Sequence, residues 1–215
     1  MTSQVATVFL VDDDAGVLKA LTILLRVSGY DVRAFLSAEA FLVEHDPGLP
    51  GCAIFDVSMP ELDGLELLAA LREKELDRPV IFITGVGDIP TSVQAMKAGA
   101  IDFITKPLDN QQLLAAIELA VERDGEARKN HDDLKLIDSR FATLTRRELE
   151  VLRHVIAGKM NKQIAYELGT VLNTIKVHRG RMMRKLGVTS VAELVRVAQQ
   201  AGVQPVAGNR KVQRD

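Results

Sequence analysis

The chain has 215 residues, 47% hydrophobic and 26% charged, with a formal net charge of −2. That length and composition allow two soluble globular units, each able to bury a core. The single cysteine, Cys52, excludes an internal disulfide framework and fits a reducing compartment, and the absence of a long apolar run or of a signal-peptide pattern leads us to expect a cytoplasmic protein with no membrane partner.

The small net charge conceals an asymmetry. Residues 1–124 hold 9 Lys and Arg against 20 Asp and Glu, residues 125–140 hold 4 of each, and residues 141–215 hold 14 against 5. An acidic front and a basic back point to two domains with different partners, and nucleic acid is the first candidate for the basic one.

In chain order, "TVFLV", "DVRAF", "CAIFD", "PVIFIT" and "IDFITK" read as strands, being short and rich in Val, Ile and Phe. "AGVLKALTILLRVSG", "SAEAFLVEH", "GLELLAALREKE" and "IPTSVQAMKAGA" alternate with them at helical spacing, and a fifth helix, "DNQQLLAAIELAVERD", follows. Asp14, Ser37 and Asp88 stand where helix N-caps belong, Gly29 and Gly99 where C-caps belong. Five β-α repeats predict an α/β, doubly wound, five-stranded parallel sheet over 1–124. Residues 125–140 are polar and charge-mixed and read as a linker, in part a continuation of the fifth helix. Four helical signals without a strand come next, in 141–201. "LTRRELEVLRHVIAG" opens with a capping-box pattern, Thr145 followed by Glu148. "NKQIAYELG" and the cation-rich "LNTIKVHRGRMMRKLG" read as helix-turn-helix, and "SVAELVRVAQQAG" closes the set. Residues 202–215 are expected to be a disordered tail. Cys52 reads as buried packing, and His45 and His131, in polar segments, as solvated.

In an open parallel sheet, ligands bind at the carboxyl ends of the strands. There the sequence places Asp12 and Asp13 after strand one, Asp56 after strand three, Thr84 after strand four and Lys106 after strand five. Packed carboxylates call for a hard divalent cation, Mg2+ first. A lysine and a hydroxyl suit a phosphoryl group, and an aspartate can accept one. Asp14 reads instead as the cap of the first helix.

The motifs "DD" at 12–13, "DVSMPELDG" at 56–64, "TG" at 84–85 and "KP" at 106–107 resemble the receiver of bacterial two-component response regulators, FixJ-like and LuxR-type. The resemblance implies a flavodoxin-like receiver with Asp56 as phosphoacceptor. Asp13, Asp56 and the Ser58 backbone carbonyl would ligate Mg2+, and Asp12 would hold a metal-bound water. Thr84 and Lys106 would contact the phosphoryl group, with a cis bond to Pro107. Thr84 and Phe103, the latter three residues before Lys106, would form the switch. The rear segment resembles the LuxR-type four-helix DNA-binding domain. It implies groove contacts from Lys176, Val177, Arg179 and His178, and phosphate contacts from Lys162, Arg181, Arg184 and Lys185, with Asn173 or Thr174 capping the helix that enters the groove. Gly180 departs from the lysine some members carry there, and a mid-helix glycine costs about 1 kcal/mol relative to alanine.

The implied function is a phosphorylation-dependent transcriptional regulator. Its partners would be a sensor histidine kinase, double-stranded promoter DNA, a second copy of the chain when phosphorylated, and RNA polymerase. One alternative is a constitutive DNA-binding regulator with a scaffold receiver. Another is an aspartate-nucleophile phosphohydrolase, which wants a second Asp two residues after Asp56, where this chain has Ser58.

Overall fold

In the computed structural model, which describes residues 5–74, 76–85 and 89–207, the chain divides into two units, 1–128 and 129–215. The first holds strands β1 (Thr7–Val11), β2 (Asp31–Phe35), β3 (Gly51–Asp56), β4 (Val80–Thr84) and β5 (Asp102–Thr105), all paired parallel in the order β2-β1-β3-β4-β5. Between them run α1 (Ala15–Val27), α2 (Ala38–Glu44), α3 (Gly64–Glu73) and α4 (Ile89–Lys97). Asp14 and Ser37 cap α1 and α2 as expected, whereas Asp88 lies outside the described residues.

Alternation along each strand sorts two cores onto the two faces. Val8, Leu10, Cys52, Ile54, Ile81, Ile83 and Ile104 face α1 and the fifth helix. Phe9, Val11, Phe55 and Phe82 face α2, α3 and α4, and Phe103 packs against that side half-buried. Edge-to-face contacts link Phe9, Phe35, Phe41, Phe55 and Phe82 at ring separations of 5.2 to 6.2 Å.

The fifth helix, α5, runs from Asn110 to Ala142. The stretch read as a linker is therefore helical throughout, with no break between residues 125 and 140. Within the first unit, Asp124 accepts from the Gly51 amide at 2.8 Å and pairs with Arg128 at 2.6 Å. Arg128 in turn donates to the carbonyls of Pro47, Gly48 and Leu49.

The second unit contains α6 (Arg146–Ile156), α7 (Asn161–Glu167), α8 (Leu172–Leu186) and α9 (Val191–Gln200) around a core that includes Ile164, Ala165, Ile175, Met182 and Leu186. Thr145 and Glu148 close the expected capping box. The described part of the stretch expected as a disordered tail is held: Val203 packs on this core, and the Val206 amide donates to the Arg153 carbonyl at 3.2 Å. Residues 208–215 lie outside the described residues.

Candidate functional site

The register sets the acidic site. Val11 pairs with Phe55, so Asp12 and Asp56 leave adjacent strands side by side, at the point where the strand order reverses. Asp12 and Asp56 are buried, Thr84 is fully buried at the end of β4, and Asp13 is exposed. Lys106 reaches over from the end of β5, its amide anchored to the Thr84 carbonyl at 2.7 Å and its peptide bond to Pro107 cis. Its ammonium donates to Asp12 Oδ2 at 2.9 Å and to Asp56 Oδ1 at 2.7 Å. The other oxygens accept backbone amides: Asp14 N–H to Asp12 Oδ1 at 2.8 Å, and Ser58 N–H to Asp56 Oδ2 at 2.7 Å.

Gly64 brings α3 against this site. Its amide donates to the Val57 carbonyl, and a Cβ at Gly64 would stand 2.4 Å from the Asp56 carbonyl oxygen and 3.1 Å from the Phe82 ring. Only glycine permits that approach, which gives the glycine of "DVSMPELDG" a physical reason.

Burial pushes the Asp12 carboxyl above its ordinary pKa, partly opposed by the Lys106 hydrogen bond. Burial alone would lower the Lys106 ammonium, but its bonds to Asp56 and Asp12 raise it. The lysine thus stays charged between two carboxylates that share it. Among the described residues no three His, Cys, Asp or Glu side chains are gathered as a metal cluster; Lys106 bridges Asp12 and Asp56, and Asp13 is exposed. The donor chemistry still fits a hard cation: two buried carboxylates, a third beside them, and oxygen throughout.

On the second unit, α7 and α8 form the expected helix-turn-helix. Lys162, Asn173, Lys176, Val177, Arg181 and Arg184 are exposed, while Thr174 and His178 are half-buried. Three expectations change. The N-cap of α8 is Val171, whose carbonyl accepts from Thr174 N and Ile175 N and whose side chain makes no cap bond. Asn173 and Thr174 therefore sit within the first turn and do not cap it. The Lys185 ammonium, on an exposed residue, donates to the Thr143 carbonyl at 2.9 Å and to buried Glu148 at 2.6 Å, so a DNA phosphate would have to share it with this internal pair. Arg179 is half-buried and donates to Asn161 at 2.9 Å, tying α8 to α7.

The contact from Lys185 has a counterpart. Arg140 at the end of α5 donates to the Leu186 carbonyl at 3.1 Å, so each helix end supplies a cation to the carbonyls of the other.

A network in the first unit was missed from the sequence. His45 is not solvated: its Nε2 accepts from Arg78 Nε at 2.7 Å, and its ring lies against Phe9 and Phe41. Burial, then the charge of Arg78, pulls the His45 pKa down to about 4. Arg78 is itself buried over the Phe9 ring, bonded to the carbonyls of Asp46 and Leu49. The i,i+4 spacing of Asp124 and Arg128 is a local signal that could have pointed to this region.

Comparison with known proteins identifies both domains. Residues 8–118 match the response regulator receiver domain model, and residues 142–198 match the model for bacterial regulatory proteins of the luxR family. The chain belongs to the response regulators. Similar family members include response regulator protein TodT of Pseudomonas putida F1, 42% identical over 93% of this chain and 88% of that one. Another is transcriptional regulatory protein FixJ of Rhizobium meliloti, 42% identical over 93% of this chain and 98% of its own length. Among solved structures, response regulator StyR matches with a TM-score of 0.84 at 44% identity, over 91% of this chain and 98% of that one. Full-length FixJ from B. japonicum matches with a TM-score of 0.55 at 41% identity, over 92% and 97%. This response regulator therefore joins a receiver, whose phosphorylation is the input, to a LuxR-type DNA-binding domain, whose output is transcription. Among the described residues no helix is long and apolar enough to cross a membrane.

Proposed function

We propose that this response regulator takes a phosphoryl group on Asp56 from a sensor histidine kinase and thereby gains affinity for promoter DNA. The observation that carries the reading is the Lys106 ammonium held 2.7 Å from Asp56 Oδ1 and 2.9 Å from Asp12 Oδ2 at the carboxyl rim of the sheet. The phosphohistidine N–P bond breaks as an Asp56 oxygen forms the new O–P bond, and the histidine nitrogen keeps the electron pair. Asp56 is the nucleophile, and Lys106 balances charge on the transferring group. Thr84 would donate its hydroxyl to the phosphoryl group, and Phe103, half-buried beside α4, would turn inward as Thr84 moves. Asp13, Asp56 and the Ser58 carbonyl would hold Mg2+, with Asp12 on a bound water. The ion would supply neutralisation of the phosphoryl oxygens.

The receiver spans 1–124, the helical connection 125–140 and the DNA-binding unit 141–201 in this reading. Lys162, Arg181 and Arg184 would bind duplex phosphates, and Asn173, Val177 and His178 would face the groove; Lys176, expected from the sequence in the groove, is exposed on the same face as Arg184 and would share a phosphate with it instead. The phosphorylated chain acts as a homodimer in the cytoplasm and engages RNA polymerase. A promoter footprint with and without a small-molecule phosphodonor tests this. Protection should strengthen with phosphodonor in the wild type and not in Asp56→Asn. Equal strengthening in both would overturn it.

A further inference from the structure

Nothing inside the DNA-binding unit accounts for Gly180. It lies in the middle of α8, exposed, with ordinary right-handed helical backbone. A Cβ built there meets nothing within 4 Å. Neither a positive φ nor a close internal neighbour requires glycine at this position, yet glycine loses more chain entropy in a helix than alanine does.

Its surroundings are distinctive. Lys176 and Arg184 lie one turn to either side, at i−4 and i+4, and Val177 at i−3 shares the outward face. Lys176, Arg181 and Arg184 are exposed, whereas the neighbouring cations Arg179 and Lys185 are bonded within the unit. Gly180 is thus a patch of bare helix backbone bracketed by outward cations. Eight residues of helix separate it from Leu172, roughly 12 Å at 1.5 Å per residue. With the N-terminal end of α8 entering the groove, as the DNA-binding reading has it, Gly180 lies about two turns back along the same helix, on an exposed face flanked by Lys176 and Arg184 where a backbone phosphate can meet it.

We propose that Gly180 is a contact notch that seats a DNA backbone phosphate against the recognition helix, between Lys176 and Arg184. The inference rests on the DNA-binding reading above and deepens it. The missing Cβ lets the phosphate approach closely enough for both cations to reach it. A phosphate contact positions the helix without reading sequence, so the effect should appear on any duplex.

The test uses the full chain, a fluorescent mixed-sequence DNA duplex, anisotropy titrations at graded NaCl, and melting without DNA. Gly180→Ala should melt higher, by about 5 °C, because the helix gains propensity. It should nevertheless bind the duplex roughly threefold to tenfold more weakly, with the slope of log K against log salt reduced by about one. Arg184→Ala should weaken binding in the same way, and Gly180→Ala added to it should cost little more, because both act on one phosphate. Wild-type affinity and salt slope in Gly180→Ala would overturn the notch, as would full additivity with Arg184→Ala. Failure of the wild type itself to bind the duplex would instead remove the DNA-binding reading, which separates the two failures.

Discussion

Replacing Lys106 by methionine tests the charge arrangement at the acidic site proposed to accept phosphate. The side chain keeps its length and loses its charge. At separations of 2.9 and 2.7 Å, and at an effective dielectric of about 20, each ion pair represents roughly 6 kcal/mol of attraction. Desolvation and the mutual repulsion of the two carboxylates take back most of that. Removing one partner of a buried pair typically costs about 3–5 kcal/mol, and the 26% exposure of the Lys106 side chain places this case near about 3 kcal/mol. For a unit spanning 1–128, the receiver transition should fall by about 10 °C. Calorimetry of the full chain at neutral pH without divalent metal reads this directly. Burial already raises the Asp12 pKa. A raised carboxyl pKa means stability that is present below the unfolded value and lost as pH rises through the folded one. The deficit of Lys106→Met should therefore shrink on acidification, as the uncompensated Asp12 carboxylate takes up a proton. Added Mg2+ should restore the variant by more than it stabilises the wild type. A Lys106→Met transition within about 2 °C of wild type, or a deficit that grows on acidification, would refute the reasoning.

Gly64→Ala forces a Cβ to 2.4 Å from the Asp56 carbonyl, so the receiver should lose about 1–3 kcal/mol and accept phosphate from a small-molecule donor more slowly. Glu148→Ala removes a buried carboxylate that serves both Thr145 and Lys185. The DNA-binding unit should lose about 2 kcal/mol by chemical denaturation, with the receiver transition unmoved. Burial would raise the Glu148 pKa, but the hydrogen bonds from Lys185 and Thr145 hold it below the ordinary value. Its contribution is therefore present above the unfolded pKa and disappears as pH falls through the lower folded one. His45 has its pKa lowered to about 4 from 6.5, so the stability it confers is present above pH 6.5 and is lost as pH falls from there toward 4. Discounted for its half exposure, the loss should be about 2 kcal/mol. Replacing His45 with glutamine should flatten that window, and an unchanged profile would show that the Arg78 contact does not titrate.

The fold was legible because its signals are local. Strand runs such as "TVFLV" and caps such as Asp14 and Thr145 act within a few residues, and the structure places each where its chemistry predicts. The acidic site was legible for a different reason: a parallel sheet collects every strand's carboxyl end on one rim, so sequence order alone gathers Asp12, Asp56, Thr84 and Lys106. What escaped depends on contacts distant in sequence. Arg78 meets His45 across 33 positions and Lys185 meets Glu148 across 37, and no local pattern encodes either pair. The N-cap of α8 escaped because Asn173 and Thr174 are good capping types two and three residues too late, while Val171, a poor one, supplies only its backbone.

The same distinction sorts the cations of the recognition helix. From sequence, Arg179, Arg181, Arg184 and Lys185 are equivalent basic residues. In the fold, Arg179 is bound to Asn161 and Lys185, though exposed, to Glu148, so among the described residues the exposed cations of α8 with no such internal bond are Lys176, Arg181 and Arg184. Counting charge therefore overstates the phosphate contacts this helix can make. A salt dependence of DNA binding measured on the full chain should reflect those three residues together with Lys162, and substituting Lys185 should alter the stability of the unit before it alters the salt slope.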